Sequence, residues 1–419
     1  MNKKTVAATA VALAVSLGAT AQGNNSGMGG NDDGVESIAA RVAKIEKKHD
    51  VFNLYINYSA AAQAEYNSLD KEWDARFANK QLRLEIKGNI TDRLFYRMRH
   101  RLNKSTDAKG NDNFAKATDI MMVGYRFNDK LTVQAGKMIQ IWGGYEFDEN
   151  PLYIYQFSDY GDHMDPFQAG VVLSYKPVPS QELAVEVSNT HNGSFKDEYG
   201  EVALCLNKAS DGKMENVTTL EKPKCAFTYI VNWNGSFLNG LITTRWAYGF
   251  GVLARGKYSR KLTLGQKLTL PRVQWYVDYM GAFDDIDKLG IANNDLRLAL
   301  NQYYTNNYIY FYEPCEFRFG KVHYNSLITK INWQFAPRFN LMLKGCYETA
   351  SVTRDEPCRN YRKSYSCIGS IEYYPVKQQD LRIFAAYTRH NYDFSKKCWL
   401  RDYNTSRIEL GFMYRIKAY

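Results

Sequence analysis

The chain has 419 residues, is 45% hydrophobic and 14% aromatic, with 32 Tyr and 21 Phe, and carries a formal net charge of +10. After the leader no stretch approaches 18 consecutive apolar residues, which excludes a transmembrane helix, and the length excludes a small disulfide scaffold. The basic residues stand at alternate positions of extended segments rather than in helix-forming clusters, which argues against nucleic acid and for small anions as their partners.

Residues 1–21 join Lys3 and Lys4 to an apolar run and a small-x-small site at Ala19-Thr20-Ala21. They read as a secretory signal peptide. Removing its two lysines takes the charge from +10 to +8. Residues 22–34 are a Gly/Asn/Asp-rich flexible leader. In residues 35–50, Val35, Ile38, Val42 and Ile45 follow the rhythm of a coiled coil, with Asp33 available as a cap. Two heptads are too short to associate unaided. Either one periplasmic helix lies against a barrel mouth, or three copies reinforce a trimer.

From residue 51 to 419 the text is strands. Asn79 to Lys104 is a hairpin: Leu82, Leu84 and Ile86 share one face, Arg83, Glu85 and Lys87 the other. After the turn, Leu94, Tyr96 and Met98 alternate with Arg97, Arg99 and Arg101. Side chains of a strand alternate between its faces, so these arginines form a vertical row at ~6.6 Å intervals. One charged, wet face and one apolar face fit a transmembrane β-barrel strand, and amphipathic rings in such number fit its interface girdles. A Tyr-rich secreted sandwich would look similar in bulk.

Further alternating segments include TDIMMVGYRF, KLTVQAGKMIQ and the final SRIELGFMYRIKAY. About fifteen are countable. Closed bacterial barrels take even strand numbers, so the expectation is an all-β antiparallel barrel of about 16, one strand being hidden near Leu264–Leu270 or Tyr145–Asp165. Alternation turns Arg83, Lys87, Arg97, Arg99, Arg101, Arg245, Arg272, Lys330, Lys344 and Arg407 to the lumen, with Glu85, Asp278, Glu348 and Glu409 as acidic neighbours. Such arginines stay charged and can hold phosphate-like oxygens bidentately, or they can pair with those acids.

Seven cysteines in an exported chain can pair, with connectivity open. Cys205 and Cys225 would staple one loop; Cys358 and Cys398 could join two. Cys346 and Cys367 lie on opposite faces. No histidine sits in a nucleophile elbow or a metalloprotease frame, so no catalysis, cofactor or metal is expected. His163 with Asp162 and Asp165 reads as a solvated loop.

The leader, the short helix, the arginine hairpin, LTVQAGKMIQIWGGYEFDENP and the aromatic C-terminus together resemble the phosphate-selective porin O and P family, in its Bacteroidetes-type branch. The likeness includes Gly136-Lys137 and the turn Gly143-Gly144-Tyr145-Glu146. It implies a sixteen-stranded homotrimeric barrel in the bacterial outer membrane, in contact with its lipid. An arginine ladder, here Arg97, Arg99 and Arg101, would draw anions to a lysine-bearing constriction. Strict alternation would turn Lys137 outward. Glu146, Asp148, Glu149, Asp159, Asp162 and Asp165 make the next segment acidic, and in the lumen it would oppose anion preference. The functions in view are passive diffusion of small solutes with anions favoured, a plugged barrel whose stapled loops bind a ligand or protein, and a secreted β-rich binder.

Overall fold

The alternating segments close into one antiparallel barrel in the computed structural model, which describes residues 51–105, 112–200, 204–206, 217–296, 317–354, 357–376, 379–398 and 400–418. The signal peptide, the leader, the helix expected at 35–50, Cys315 and Tyr419 lie outside the described residues. The barrel strands are β1 (Asn53–Asn67), β2 (Glu72–Asn89), β3 (Leu94–Arg101), β4 (Thr118–Arg126), β5 (Leu131–Ile139), β6 (Phe167–Val178) and β7 (Gln181–Asn189). They continue with β10 (Phe227–Phe237), β11 (Ile242–Ala254), β12 (Lys257–Thr269), β13 (Val273–Asp284), β15 (Val322–Ala336), β16 (Phe339–Val352), β17 (Arg362–Tyr373), β18 (Asp380–Phe394) and β19 (Tyr403–Lys417). Strands β8 (Leu204–Leu206), β9 (Val217–Thr219) and β14 (Phe317–Phe319) form a separate small sheet among the loops. Closure comes from β1 pairing with β19, from Tyr55↔Lys417 to Asn67↔Thr405.

The strand hidden from the sequence is β12, one of the two places anticipated. Its outward positions include Arg260 and Gln266, which blur the apolar rhythm, and a two-residue turn with Gly256 at φ 68 joins it to β11. At the barrel end carrying the chain termini the connections are short, as in 90–93, 179–180 and 337–338. The other end carries the long segments 102–117, 140–166, 190–226 and 285–321.

Faces follow the alternation. Val171, Leu173 and Val185 are exposed outward, whereas Val172, Ser174 and Glu186 are buried inward. Rings gather on the outer rim at the terminal end, where Trp233 and Trp246 meet edge to face at 5.1 Å and Phe335 stacks on Phe339. This belt accounts for part of the aromatic excess. The largest apolar cluster lies inside the barrel. Ile141, Trp142, Tyr145, Phe147 and Tyr160 of segment 140–166 pack there against wall residues such as Val172, Tyr276, Met280 and Ile328. Gly143 and Gly144, at φ 72 and 73, let the entering chain press against the wall; a Cβ on Gly143 would come within 2.9 Å of the Arg245 carbonyl oxygen.

Candidate functional site

Segment 140–166 leaves β5 at the long-loop end, descends through the lumen and returns. Near its start, the Ile141 N–H donates to Glu186 Oε2 at 2.8 Å. The Tyr145 and Glu146 N–H groups donate to Asp278 Oδ2 at 2.7 and 2.9 Å. Its acids then meet wall cations one by one: Glu146 with Lys344 at 2.5 Å, Asp148 with Arg245 at 2.9 Å, and Glu149 with Lys330 at 2.7 Å. At the bottom, the Tyr153 hydroxyl donates to Asp380, the first residue of β18, and Tyr155 to Glu372 at 2.8 Å. Gln81 donates to the Pro151 carbonyl and Arg407 to the Tyr155 carbonyl, at 2.5 and 3.1 Å. On the way up, the short helix α1 (Asp159–His163) directs the Asp159 and Tyr160 N–H groups to Glu348 at 2.8 and 3.1 Å, and Asp159 pairs with Arg362. The acidic segment therefore lies in the lumen, with these carboxylates engaged by the wall from β11 to β17.

The opposite wall keeps its own charges. Arg97 and Arg415 share Glu85, at 2.8 and 3.5 Å, while Arg83, Arg99 and Arg101 converge on Asp119 at 3.3, 3.2 and 2.7 Å. Five arginines thus pair with two carboxylates. Lys87 stands beside Arg97 across the β2–β3 pair and over the Tyr55 ring. Arg99 and Arg101 also lie over the Phe167 ring at 5.1 and 5.9 Å. At the long-loop end of the row, Arg101, Lys104, Lys116 and Lys137 line a cavity of about 430 Å³ whose wall also carries Asp119, Asp165, Asp197 and Glu198.

Arg83, Lys87, Arg97, Arg99, Arg101, Arg245, Lys330, Lys344 and Arg407 all have their side chains within the barrel, divided between two walls rather than on one path. Arg272 does not join them: it is exposed in the 270–272 turn, outside the alternating frame of β13. Lys137 is buried rather than outward, 2.7 Å from Asp112 and next to Gly136, whose φ of 122 interrupts the alternation. Cys205 is buried in the small sheet while Cys225 is exposed, and the buried Cys398 Sγ donates to the Ser395 carbonyl at 2.9 Å. Arg362 and Arg382 went unnoticed in the sequence, although Arg382 sits at an inward alternation position that period-two counting would have exposed.

A second ionisable group lies at the mouth. Lys288 Nζ is 2.9 Å from His191 Nδ1, and Glu198, in the helix α2 (Phe195–Tyr199), is 3.6 Å from the same nitrogen. Burial pushes the Glu198 carboxyl up, but the His191 hydrogen bond and the Lys288 charge outweigh it and hold it at about 2. Burial and the Lys288 charge push His191 down.

Solved barrels share this architecture. The outer membrane channel DcaP of Acinetobacter baumannii matches with a TM-score of 0.57 over 88% of this chain and 99% of its own, at 10% identity. An anion-selective porin from Comamonas acidovorans matches with 0.54 over 87% and 99%, at 7% identity. OmpT of Vibrio cholerae gives 0.50 over 88% and 99%, at 12% identity. Identities this low speak for the fold alone. No curated protein matches the sequence. The sequence profile of the phosphate-selective porin O and P family, however, matches residues 52–416 from the first barrel strand to the last. The chain is a member of that porin family, whose place is the bacterial outer membrane.

Proposed function

We propose that the protein lets small solutes diffuse passively across the outer membrane and favours anions, phosphate-like ones included, along the arginine wall. The observation that carries this reading is the convergence of Arg83, Arg99 and Arg101 on the single carboxylate of Asp119, which leaves positive charge on that wall. Four acids of the inward segment do not cancel it, because Glu146, Asp148, Glu149 and Asp159 are each engaged by a cation elsewhere. Guanidinium groups suit the role, since they remain charged and offer forked donors to tetrahedral oxyanions. The family resemblance supports a homotrimer as the working form.

Single-channel recording in a planar bilayer under a salt gradient tests this. The wild type is expected to give stepwise conductance with an anion-selective reversal potential. Arg97→Ala/Arg99→Ala/Arg101→Ala should move that potential toward zero. A cation-selective or unmoved potential would remove the anion preference and leave the porin. The tethering of segment 140–166 from one barrel end to the other favours a second reading, a plugged barrel whose loops bind a ligand or partner. Folded protein that passes no current would select it.

A further inference from the structure

Where segment 140–166 turns back toward the mouth, three side chains from distant parts of the chain converge: Asp159 of α1, Glu348 of β16 and His390 of β18. One donor atom from each lies within 4.8 Å of the others, and all three residues are buried. His390 is 1% exposed, yet its Nε2 has no hydrogen-bond partner among the described residues. It faces Asp159 Oδ1 at 3.6 Å. That is too long for a hydrogen bond. It is close to the ~3.4 Å expected between two donors that each stand ~2.1 Å from one tetrahedral ion.

The two oxygens of Asp159 are used differently. Oδ2 accepts from Arg362 and, at 3.0 Å, from Ser364. Oδ1 is left to face His390, with the Tyr392 hydroxyl 3.5 Å away. That hydroxyl is also 3.1 Å from His390 Nδ1, which orients the ring and leaves Nε2 as the nitrogen turned to the carboxylates. Glu348 is fixed by the Asp159 and Tyr160 N–H groups and, at 2.5 Å, by the Ser326 hydroxyl.

Charge points the same way. Arg362 divides its guanidinium between Asp159 and Asp295, the latter at 2.8 Å. Asp159 and Asp295 therefore share that one guanidinium, and no ion pair among the described residues engages Glu348. Like charges buried together need a cation or a proton. A small cavity of about 10 Å³, the size of one water-sized sphere, lies against the two carboxylates; Asp159, Ser326, Glu348, Arg362 and Ser364 line it together with Tyr160, Ile291 and Tyr324, and His390 stands outside its lining. An imidazole joined to two carboxylates suits a first-row divalent ion better than Ca²⁺ or Mg²⁺, which take oxygen ligands.

We propose that Asp159, Glu348 and His390 bind a divalent transition-metal ion, for which Zn²⁺ is the natural probe, and that the ion pins the returning arm of the inward segment to β16 and β18. Remaining coordination positions would be filled by water or by a passing oxyanion.

The test uses the detergent-folded full barrel. Co²⁺ uptake is read from its visible absorption, Zn²⁺ affinity by competition with a chromophoric chelator, and folding by heat-modifiable gel mobility. The wild type should bind Co²⁺, release it to Zn²⁺, and unfold at a higher temperature with Zn²⁺ than with EDTA. His390→Ala should keep the barrel fold and lose more affinity than the ~10–100-fold that loss of an outer-shell partner costs. Glu348→Gln serves the same purpose if His390→Ala does not fold. Absence of uptake by folded wild type, or an affinity unchanged in a folded variant, would overturn the site and mean that a proton balances the carboxylates. Neither outcome depends on the channel's ion preference.

Discussion

Asp119 is ion-paired with three arginines at once and accepts from two of them, Arg99 and Arg101, so it controls how much of their charge reaches a passing ion. Asp119→Asn keeps the shape and removes one negative charge. It is expected to move the reversal potential further toward the anion limit, opposite in sign to the triple alanine variant. Lys344 behaves differently. Its ammonium is buried against Glu146 and also donates to the Gln156 carbonyl at 2.8 Å, so Lys344→Met would leave a carboxylate stranded in the wall. The expected loss is about 3–5 kcal/mol of stability, read as a lower temperature of heat modification. At the mouth, Glu198 is held at about 2 against its ordinary 4.5, so its pairing stabilises the fold above pH 4.5 and fades as pH falls toward 2. Glu198→Gln should lower stability at neutral pH, change little near pH 2, and so flatten the acid limb of an unfolding profile over that interval.

Among the elements, segment 140–166 is the one that crosses the lumen. Its tip is anchored by Tyr153 on Asp380 and Tyr155 on Glu372. Removing both hydroxyls in Tyr153→Phe/Tyr155→Phe should raise open-channel current noise while the barrel stays folded, a result that recordings at constant voltage would show. The acidity of this segment was legible in the sequence; its destination was not. Alternation places Lys330 and Lys344 inward, but nothing local says that Glu149 and Glu146 will meet them, because those partners are 181 and 198 residues away. The double Gly at 143–144 was the available hint that the chain turns tightly there. It marks the bend and not the direction. Lys137 failed for a related reason, since Gly136 breaks the period on which its outward placement rested.

The barrel as a whole was the most readable level. Period-two patterning locates strands because one face meets lipid and the other water, and the even-number rule supplied the sixteenth. Cysteine pairing was least readable, because spacing along the chain leaves the connectivity open. We propose that the helix expected at 35–50, which lies outside the described residues, reinforces assembly. Deleting residues 22–50 should lower the temperature at which an SDS-resistant oligomer falls apart while leaving the monomer's heat-modifiable shift intact.

The path of the inward segment also constrains the order in which this molecule is made. Its tether to Arg407 joins residues 252 apart, and the one to Asp380 joins residues 227 apart. The strands carrying those partners, β18 and β19, lie far along the chain from the segment they hold. The segment therefore has its full set of anchors only once both strands stand beside it. Contacts of such long range make the setting of this interior brace a slow step.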